Sequence, residues 1–282
     1  MSLQLSGQSE RPIEPHKEFY GQMHRQMPRL ITGKDVEGNI VDVPRKPASF
    51  TYVIDRRMSA PEDVREAWQR NYFFTADGSA TRKKGDHLIV LNSQDLLGLN
   101  PNSELYCGAL VLKGRNAWSK LKSQKDNVLY LTADEANEVH SEGWIKKNGV
   151  WQPANKTVGK VWDFLTQGRN LNDYVQMVEA HSPHSNSLLN VYLNDTVADG
   201  KATMRPWVAS RTNNDSNSIC ANFIDYNYAR LVGLSDGVAQ LSAEGATRDV
   251  VKPRLEDILA IVSDSDLSQN DKIRQISDKY QI

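Results

Sequence analysis

The sequence of residues 205–233 reads Arg-Pro-Trp-Val-Ala-Ser-Arg-Thr-Asn-Asn-Asp-Ser-Asn-Ser-Ile-Cys-Ala-Asn-Phe-Ile-Asp-Tyr-Asn-Tyr-Ala-Arg-Leu-Val-Gly. Between Thr212 and Tyr228 it holds five Asn with Ser, Thr, Asp and Tyr interleaved, whereas both flanks have the apolar content of ordinary structure. Tyrosine provides contact area at low entropic cost, and Ser and Asn provide adaptable hydrogen bonds. The composition is that of a binding surface, although an Asn-rich polar loop would share it.

Short strands and helices alternate upstream of this stretch. Alternation and apolar runs predict strands at 49–54, 72–75, 87–92, 106–112, 128–131, 188–193 and 205–210, with a turn-rich segment at 76–85. Helical spacing and capping boxes predict helices at 59–70, 132–140, 157–167 and 171–180. Asn148-Gly149 between two β-prone arms predicts a hairpin over 143–152. This order of elements is mixed α+β.

The apolar positions of these elements predict the core. The residues expected to be buried are Val64, Ala67, Trp68, Val158, Val161, Trp162, Leu165, Val175, Val178, Leu188, Val191 and Leu193. Residues 4–47 are rich in Pro, Arg, Lys and Gln and are interpreted as an extended arm or an irregular lead-in to the domain. Residues 252–262 and 270–280 have helical spacing and predict a helical C-terminal extension.

Composition excludes several classes of function. The chain has 282 residues and a formal net charge of -1, so it lacks the basic excess of a general nucleic-acid binder. No apolar run approaches the roughly 20 residues that span a bilayer. The polar segment 1–14 has no apolar core of a signal peptide. We therefore expect no nucleic-acid partner, no membrane insertion, and a location in the cytoplasm or in a virus particle.

Motifs for catalysis or cofactor binding are not found. The sequence contains no phosphate-binding Gly motif, no nucleophile elbow and no His-Glu-x-x-His. His181 and His184 form the only close His pair, without a third ligand in sequence, so solvated His side chains are the simpler interpretation. Cys107 and Cys220 are interpreted as two unrelated thiols, and a single disulfide between them is the alternative interpretation. We expect no cofactor, no metal and no enzymatic activity.

The stretch at 205–233 resembles the variable segment of the target proteins of diversity-generating retroelements. The matching residues are Trp207-Val-Ala-Ser-Arg211, the polar run, and Asp225-Tyr-Asn-Tyr-Ala-Arg-Leu-Val-Gly233. Residues 161–174 also resemble the helix that precedes such segments in archaeal and archaeal-virus members. The resemblance covers residues 100–250 in element order. Two departures are Ala229, where the family has Gly, and the chain that continues beyond Gly233.

The resemblance implies a C-type lectin fold that holds a solvent-facing patch of variable, ligand-binding side chains. It implies adenine-directed diversification, for which Asn codons are suited because no base replacing their adenines creates a stop codon. The implied variable positions are Val208, Ser210, Thr212, Asn213, Asn214, Ser216, Ser218, Cys220, Asn222, Ile224, Tyr226 and Tyr228. The ligand is expected to be macromolecular, a protein rather than a calcium-bound sugar, because no Glu-Pro-Asn type motif is found.

Three regions follow from this interpretation. Residues 1–95 form an N-terminal segment packed on or preceding the lectin-like domain, residues 96–250 form that domain, and residues 251–282 form the helical extension. Asp225, Arg230 and Gly233 are assigned to the scaffold, with a buried contact between the carboxylate of Asp225 and the guanidinium of Arg230. Two alternatives remain open: a catalyst like the formylglycine-generating enzymes, in which Cys107 and Cys220 would have to meet, and a structural virion protein without diversification.

Overall fold

A computed structural model describes residues 16–35, 37–124, 126–183, 185–198, 200–212 and 218–234. They belong to the first of two compact units, Met1–Gly237 and Val238–Ile282. The expected C-terminal helices at 252–262 and 270–280 lie outside the described residues.

The described residues form fourteen strands and eight helices, which confirms the predicted α+β class. The strands are β1 (Lys17–Tyr20), β2 (Lys46–Pro47), β3 (Phe73–Thr81), β4 (His87–Val90), β5 (Leu105–Tyr106), β6 (Ala109–Val111), β7 (Val128–Leu131), β8 (Trp144–Lys147), β9 (Val150–Pro153), β10 (Ser187–Leu188), β11 (Val191–Tyr192), β12 (Thr203–Ala209), β13 (Ile219–Ala221) and β14 (Arg230–Leu234). The helices are α1 (Met23–Thr32), α2 (Phe50–Ser59), α3 (Glu62–Arg70), α4 (Gln94–Leu97), α5 (Ala117–Lys122), α6 (Ala133–Val139), α7 (Lys156–Leu165) and α8 (Asn172–His181).

One sheet of eleven strands organises the described unit, with the central order β1-β14-β3-β12-β13-β11. The first and last described strands, β1 and β14, pair antiparallel. A second sheet has the order β10-β8-β9. The expected boundary between the N-terminal segment and the lectin-like domain lies at residue 96. Strand β3 comes before that boundary and β12 comes after it, yet the two strands pair along their length. Residues on both sides of the expected domain boundary therefore share one sheet.

The central strands β3 and β12 are buried over their whole length. Successive side chains of a strand point to opposite faces. Phe73 and Trp207 accordingly join a core cluster that includes α2, α3, α7 and α8, whereas Phe74 and Val208 join a second cluster that includes α1, α4 and α5. The sheet is thus covered on both faces at its centre, and both clusters contribute to the core.

Several local predictions are confirmed. Thr132 and Glu135 form the capping box at the start of α6, with both reciprocal hydrogen bonds present. Strands β8 and β9 form the predicted hairpin, and Asn148 and Gly149 in its turn have φ values of 52° and 79°. All the residues expected in the core are buried.

Other predictions are wrong. Residues 49–54 belong not to a strand but to α2, where the hydroxyl of Ser49 accepts a hydrogen bond from Tyr52 N. The β-branched residues there favour a strand locally, but Phe50, Val53, Ile54 and Arg57 share one buried helical face, and that burial decides the outcome. The capping box at 59–62 is absent, because Ser59 ends α2 and Glu62 begins α3 after Pro61, without a side-chain cap.

The other differences concern segments with turn-forming residues. Strand β3 continues to Thr81 through the expected turn, since Gly78 allows the backbone of β12 to approach: a Cβ there would lie 2.9 Å from Arg205 O. The expected arm contains α1, whose Met23, Met27 and Leu30 are buried despite Pro28. The expected strand at 188–193 is interrupted at Leu189, which has a positive φ of 55°.

Asp77 joins three parts of this architecture. Its side chain is on β3 and accepts hydrogen bonds from Phe50 N, at the start of α2, at 2.6 Å and from Asn92 N, just after β4, at 2.8 Å. The residue is 1% exposed. Burial raises the pKa of this carboxyl to about 6, against the lowering effect of the two hydrogen bonds.

The pKa of Asp77 leads to a prediction about stability. Because the folded chain holds this proton more tightly than the unfolded chain, the stabilising contribution is fully present below pH ~4 and is lost as the pH rises through about 6. We expect the difference in unfolding free energy between the wild type and Asp77→Asn to fall by about 2 kcal/mol from pH 4 to pH 7. Urea denaturation at successive pH values measures it, and a difference that does not change with pH contradicts the assignment.

Candidate functional site

The polar stretch begins where β12 leaves the centre of the sheet. The guanidinium of Arg57, a buried residue of α2, donates to Ser210 O at 2.6 Å and to Ala209 O at 3.3 Å. Thr212 N and Oγ1 both donate to Gln69 O. Ser210 N donates to Ser218 O, and β13 then returns along β12 with Cys220 opposite Val208. Before residue 213 the backbone is therefore held by the buried residues Arg57 and Gln69, and after residue 217 it is held by the backbone of β12.

The second half of the stretch is a loop between β13 and β14 that is anchored at two buried residues. Ile224 N donates to Gly108 O, and Ile224 O accepts from Met23 N. Ala229 O accepts from Gly21 N. Ile224 and Ala229 are fully buried, whereas the residues between them are exposed. This spacing holds the loop backbone in place and directs the side chains of residues 225–228 outward.

Three exposed tyrosines adjoin on this loop and on β1. The ring centroids of Tyr226 and Tyr228 are 5.5 Å apart, and those of Tyr228 and Tyr20 are 6.2 Å apart. Their exposed fractions are 43%, 54% and 43% for Tyr226, Tyr228 and Tyr20. Gln22 Nε2 donates to Asn227 Oδ1 at 3.0 Å beside them. We call these five residues the tyrosine surface.

Arg230 supports the tyrosine surface from beneath. Its guanidinium lies 5.4 Å from the ring centroid of Tyr20 and 5.5 Å from that of Tyr72, and it donates to Asn71 Oδ1. Tyr72 in turn donates from its hydroxyl to Tyr228 O, and burial raises the pKa of that hydroxyl.

The expected buried contact between Asp225 and Arg230 is wrong. Asp225 is exposed, while the carboxylate beside Arg230 is that of Glu18, with Nε and Oε1 3.5 Å apart. Glu18 is on β1, which pairs with β14 at this point, so strand pairing places the carboxylate there. Gly233, also assigned to the scaffold, packs closely: a Cβ would lie 2.8 Å from Phe19 Cε2 and from Arg45 Cδ.

The expected variable positions fall into three groups. Tyr226 and Tyr228 are exposed, and Ser210, Ser218, Cys220 and Asn222 are partly exposed. Asn213, Asn214 and Ser216 lie outside the described residues. Val208, Thr212 and Ile224 are at most 2% exposed, so the expectation that they face solvent is wrong. Strand alternation cannot identify an outer face here because β12 is covered on both faces.

Further exposed residues of this stretch, or next to it in space, were not singled out from the sequence. Phe223 is 43% exposed, and its ring centroid lies 4.5 Å from the guanidinium of Arg205. Asn227 and Phe223 belong to the polar stretch but fall outside the positions chosen from it. Tyr20 and Gln22 are about two hundred residues away in sequence, and only the pairing of β1 with β14 brings them here.

The thiol groups do not form a disulfide. Cys107 is exposed at the turn between β5 and β6 with a φ of 46°, and Cys220 is partly exposed on β13. Burial raises the pKa of the Cys220 thiol, which disfavours the thiolate that nucleophilic catalysis requires. Within the described residues, no group of three or more His, Cys, Asp or Glu side chains is placed to hold a metal ion.

One arrangement resembles a catalytic triad. The Oγ of Ser79 lies 3.2 Å from Nδ1 of His87, and Nε2 of His87 lies 2.7 Å from Oδ1 of Asp195. Ser79 is 3% exposed and His87 is fully buried in adjoining strands, so the hydroxyl is not accessible to a substrate. The contacts connect β3 and β4 to the segment after β11.

No described helix is long and apolar enough to cross a membrane.

Comparison with known proteins gives one structural similarity. No protein-family model matches the chain, and no curated protein matches it. A solved structure described as accommodation of massive sequence variation in Nanoarchaeota by the C-type lectin fold is similar with a TM-score of 0.49 and 17% identity. The similarity covers 82% of this chain and 99% of that one.

Proposed function

We propose that this chain is a ligand-binding protein that presents the tyrosine surface on a C-type lectin-like scaffold to a macromolecular ligand, and that this ligand is a protein. The observation that carries the proposal is the set of three adjoining exposed tyrosines, of which Tyr226 and Tyr228 are on a loop that buried residues anchor at both ends and Tyr20 is on β1. Support for the scaffold comes from the sequence pattern at 207–233 and from an α+β unit whose first and last described strands pair.

The chemistry of the surface suits recognition of a protein. Tyr226, Tyr228 and Tyr20 offer large amphipathic side chains with few rotatable bonds, and aromatic side chains of this kind are enriched in protein interfaces. The amide groups of Asn222 and Asn227 and the hydroxyl groups of Ser210 and Ser218 lie on the same stretch and can form adaptable hydrogen bonds. Because the backbone of this loop is already fixed at Ile224 and Ala229, ligand binding would cost little ordering of the loop.

We further propose that a retroelement diversifies the projecting positions of the polar stretch at 205–233 in an archaeal or archaeal-virus setting. The distribution of burial supports this. Positions that tolerate change must project from the scaffold, as Ser210, Ser218, Cys220, Asn222, Tyr226 and Tyr228 do in whole or in part. Val208, Thr212 and Ile224 are buried and are now assigned to the scaffold.

Sequencing of this locus and its neighbourhood from a population tests the proposal. We expect a near-copy of the coding stretch for residues 205–233 with mismatches confined to adenines. The mismatches should occur in the codons of the projecting positions and spare those of Trp207, Ile224 and Arg230, whose side chains the scaffold needs. An invariant stretch without a nearby repeat or reverse transcriptase would exclude diversification.

A further inference from the structure

A cavity of about 620 Å³ lies where β3 and β6 end and β12 begins, at the end of β12 remote from Ser210. Along β12 the two ends are about 20 Å apart. Apolar side chains of Val111, Leu112 and Trp118 contribute to its walls. The lining also holds six basic side chains and one acidic one: Arg82, Lys83, Lys84, Lys113, Arg115, Lys201 and Glu104.

This concentration of positive charge is local, since the whole chain has 34 basic and 35 acidic residues. Two of the cations are paired: Lys201 with Glu104 at 2.8 Å, and Arg82 with Asp86. No acidic side chain of the described residues lies within ion-pair distance of the other four, Lys83, Lys84, Lys113 and Arg115. Hydrogen bonding from Lys201, with the nearby charge of Lys113, holds the pKa of Glu104 below its ordinary value. Unneutralised cations around a concave site attract anions.

The guanidinium of Arg82 is held in one orientation by its neighbours, before any ligand binds. The guanidinium of Arg82 stacks on the indole of Trp118, 4.8 Å from the ring centroid, and its Nε donates to Asp86 Oδ2 at 2.9 Å. The aromatic face and the carboxylate together restrict its rotation. A planar guanidinium held in this way presents its remaining donors to the oxygens of a phosphate group.

We propose that this cavity binds an organic polyphosphate of about the size of a nucleotide. Lys113, Arg115 and the adjacent lysines 83 and 84, none of which has an acidic partner among the described residues, would contact the phosphate groups. The apolar wall at Trp118 and Leu112 would contact the organic part. The volume lies within the range of small-molecule sites and far exceeds that of a single ion. A concave site of this size, rather than a basic stripe, favours a small molecule over a nucleic-acid strand. The proposal does not depend on the tyrosine surface.

Calorimetric titration of the full chain at low salt with ATP, inorganic triphosphate and adenosine tests this site. We expect ATP to bind, triphosphate to bind several-fold more weakly, and adenosine not to bind. The double variant Lys113→Glu/Arg115→Glu should weaken ATP binding at least about tenfold, because it reverses two unpaired charges of the cavity. The control Lys147→Glu/Lys156→Glu makes the same change in net charge at exposed positions outside the cavity and should stay within about twofold of the wild type.

Three outcomes would overturn the proposal. The first is that ATP does not bind at millimolar concentration. The second is that both double variants weaken ATP binding equally, which would assign it to overall charge. The third is that a single-stranded oligonucleotide binds and ATP does not compete with it, which would identify a nucleic-acid site. Circular dichroism and thermal unfolding of both variants establish that a loss of binding is not a loss of fold.

Discussion

Replacing Arg57 by Ala should lower the free energy of unfolding by about 4 kcal/mol, because the guanidinium connects four parts of the chain within the core. Arg57 is 2% exposed and donates to Trp68 O and Asn71 O, both at 3.0 Å, to Tyr174 Oη at 2.9 Å and to Ser210 O at 2.6 Å. Its removal leaves buried carbonyl oxygens without donors and opens a cavity between α2, α3 and α8.

Urea denaturation of Arg57→Ala and of Arg56→Ala measures this effect. Arg56 is the neighbour on the same helix, is only partly buried, and should cost less than about 1 kcal/mol when truncated. Arg57→Lys should recover only part of the loss, since one ammonium cannot reach acceptors arranged around a planar fork. Equal effects of the Arg56 and Arg57 substitutions would show that the hydrogen bonds of Arg57 contribute little.

The second large effect is expected at Ile224. This side chain is fully buried in the cluster that includes α1, and its backbone is bonded to Gly108 and Met23. Ile224→Asn should lower the free energy of unfolding by about 4 kcal/mol, because the change removes buried apolar surface and buries an amide group in an apolar cluster without a hydrogen-bond partner.

Tyr226→Asn is the matched comparison, since it introduces the same side chain two residues away at an exposed position. It should change the free energy of unfolding by less than about 1 kcal/mol, and thermal or urea denaturation of both variants gives the difference. If Ile224→Asn is tolerated as well as Tyr226→Asn, Ile224 returns to the candidate variable positions and the anchoring of the loop is refuted. A large loss at Tyr226 would instead give the tyrosine surface a structural role.

The comparisons of Arg57 with Arg56 and of Ile224 with Tyr226 test whether scaffold and surface positions differ as the proposed function requires. A diversified surface requires scaffold positions that do not tolerate change and surface positions that do. Arg57 and Ile224 are on the scaffold side: Arg57 donates to the backbone of the polar stretch at Ser210 O, and Ile224 connects the stretch to Gly108 and Met23 through its own backbone. Tyr226 and Tyr228 are on the other side, where the described structure leaves them exposed.

The sequence by itself determined those features whose signals are short-range. The Asn-Gly turn, the capping box at Thr132 and the buried face of α7 each depend on residues a few positions apart, and each was predicted. The α+β class follows from the order of such elements. The polar stretch at 205–233 was also identified, because its composition differs from that of its flanks.

Only the tertiary structure decided which residues of that stretch reach the surface. Strand alternation assigns side chains to two faces but does not say that both faces of β12 are covered, so Val208 was misplaced. Tyr20 lies beside Tyr228 because β1 pairs with β14, two strands that are about two hundred residues apart in sequence. The same pairing places Glu18, and not the expected Asp225, beside Arg230. These contacts are non-local, and their stabilisation comes from burial that no sequence window contains.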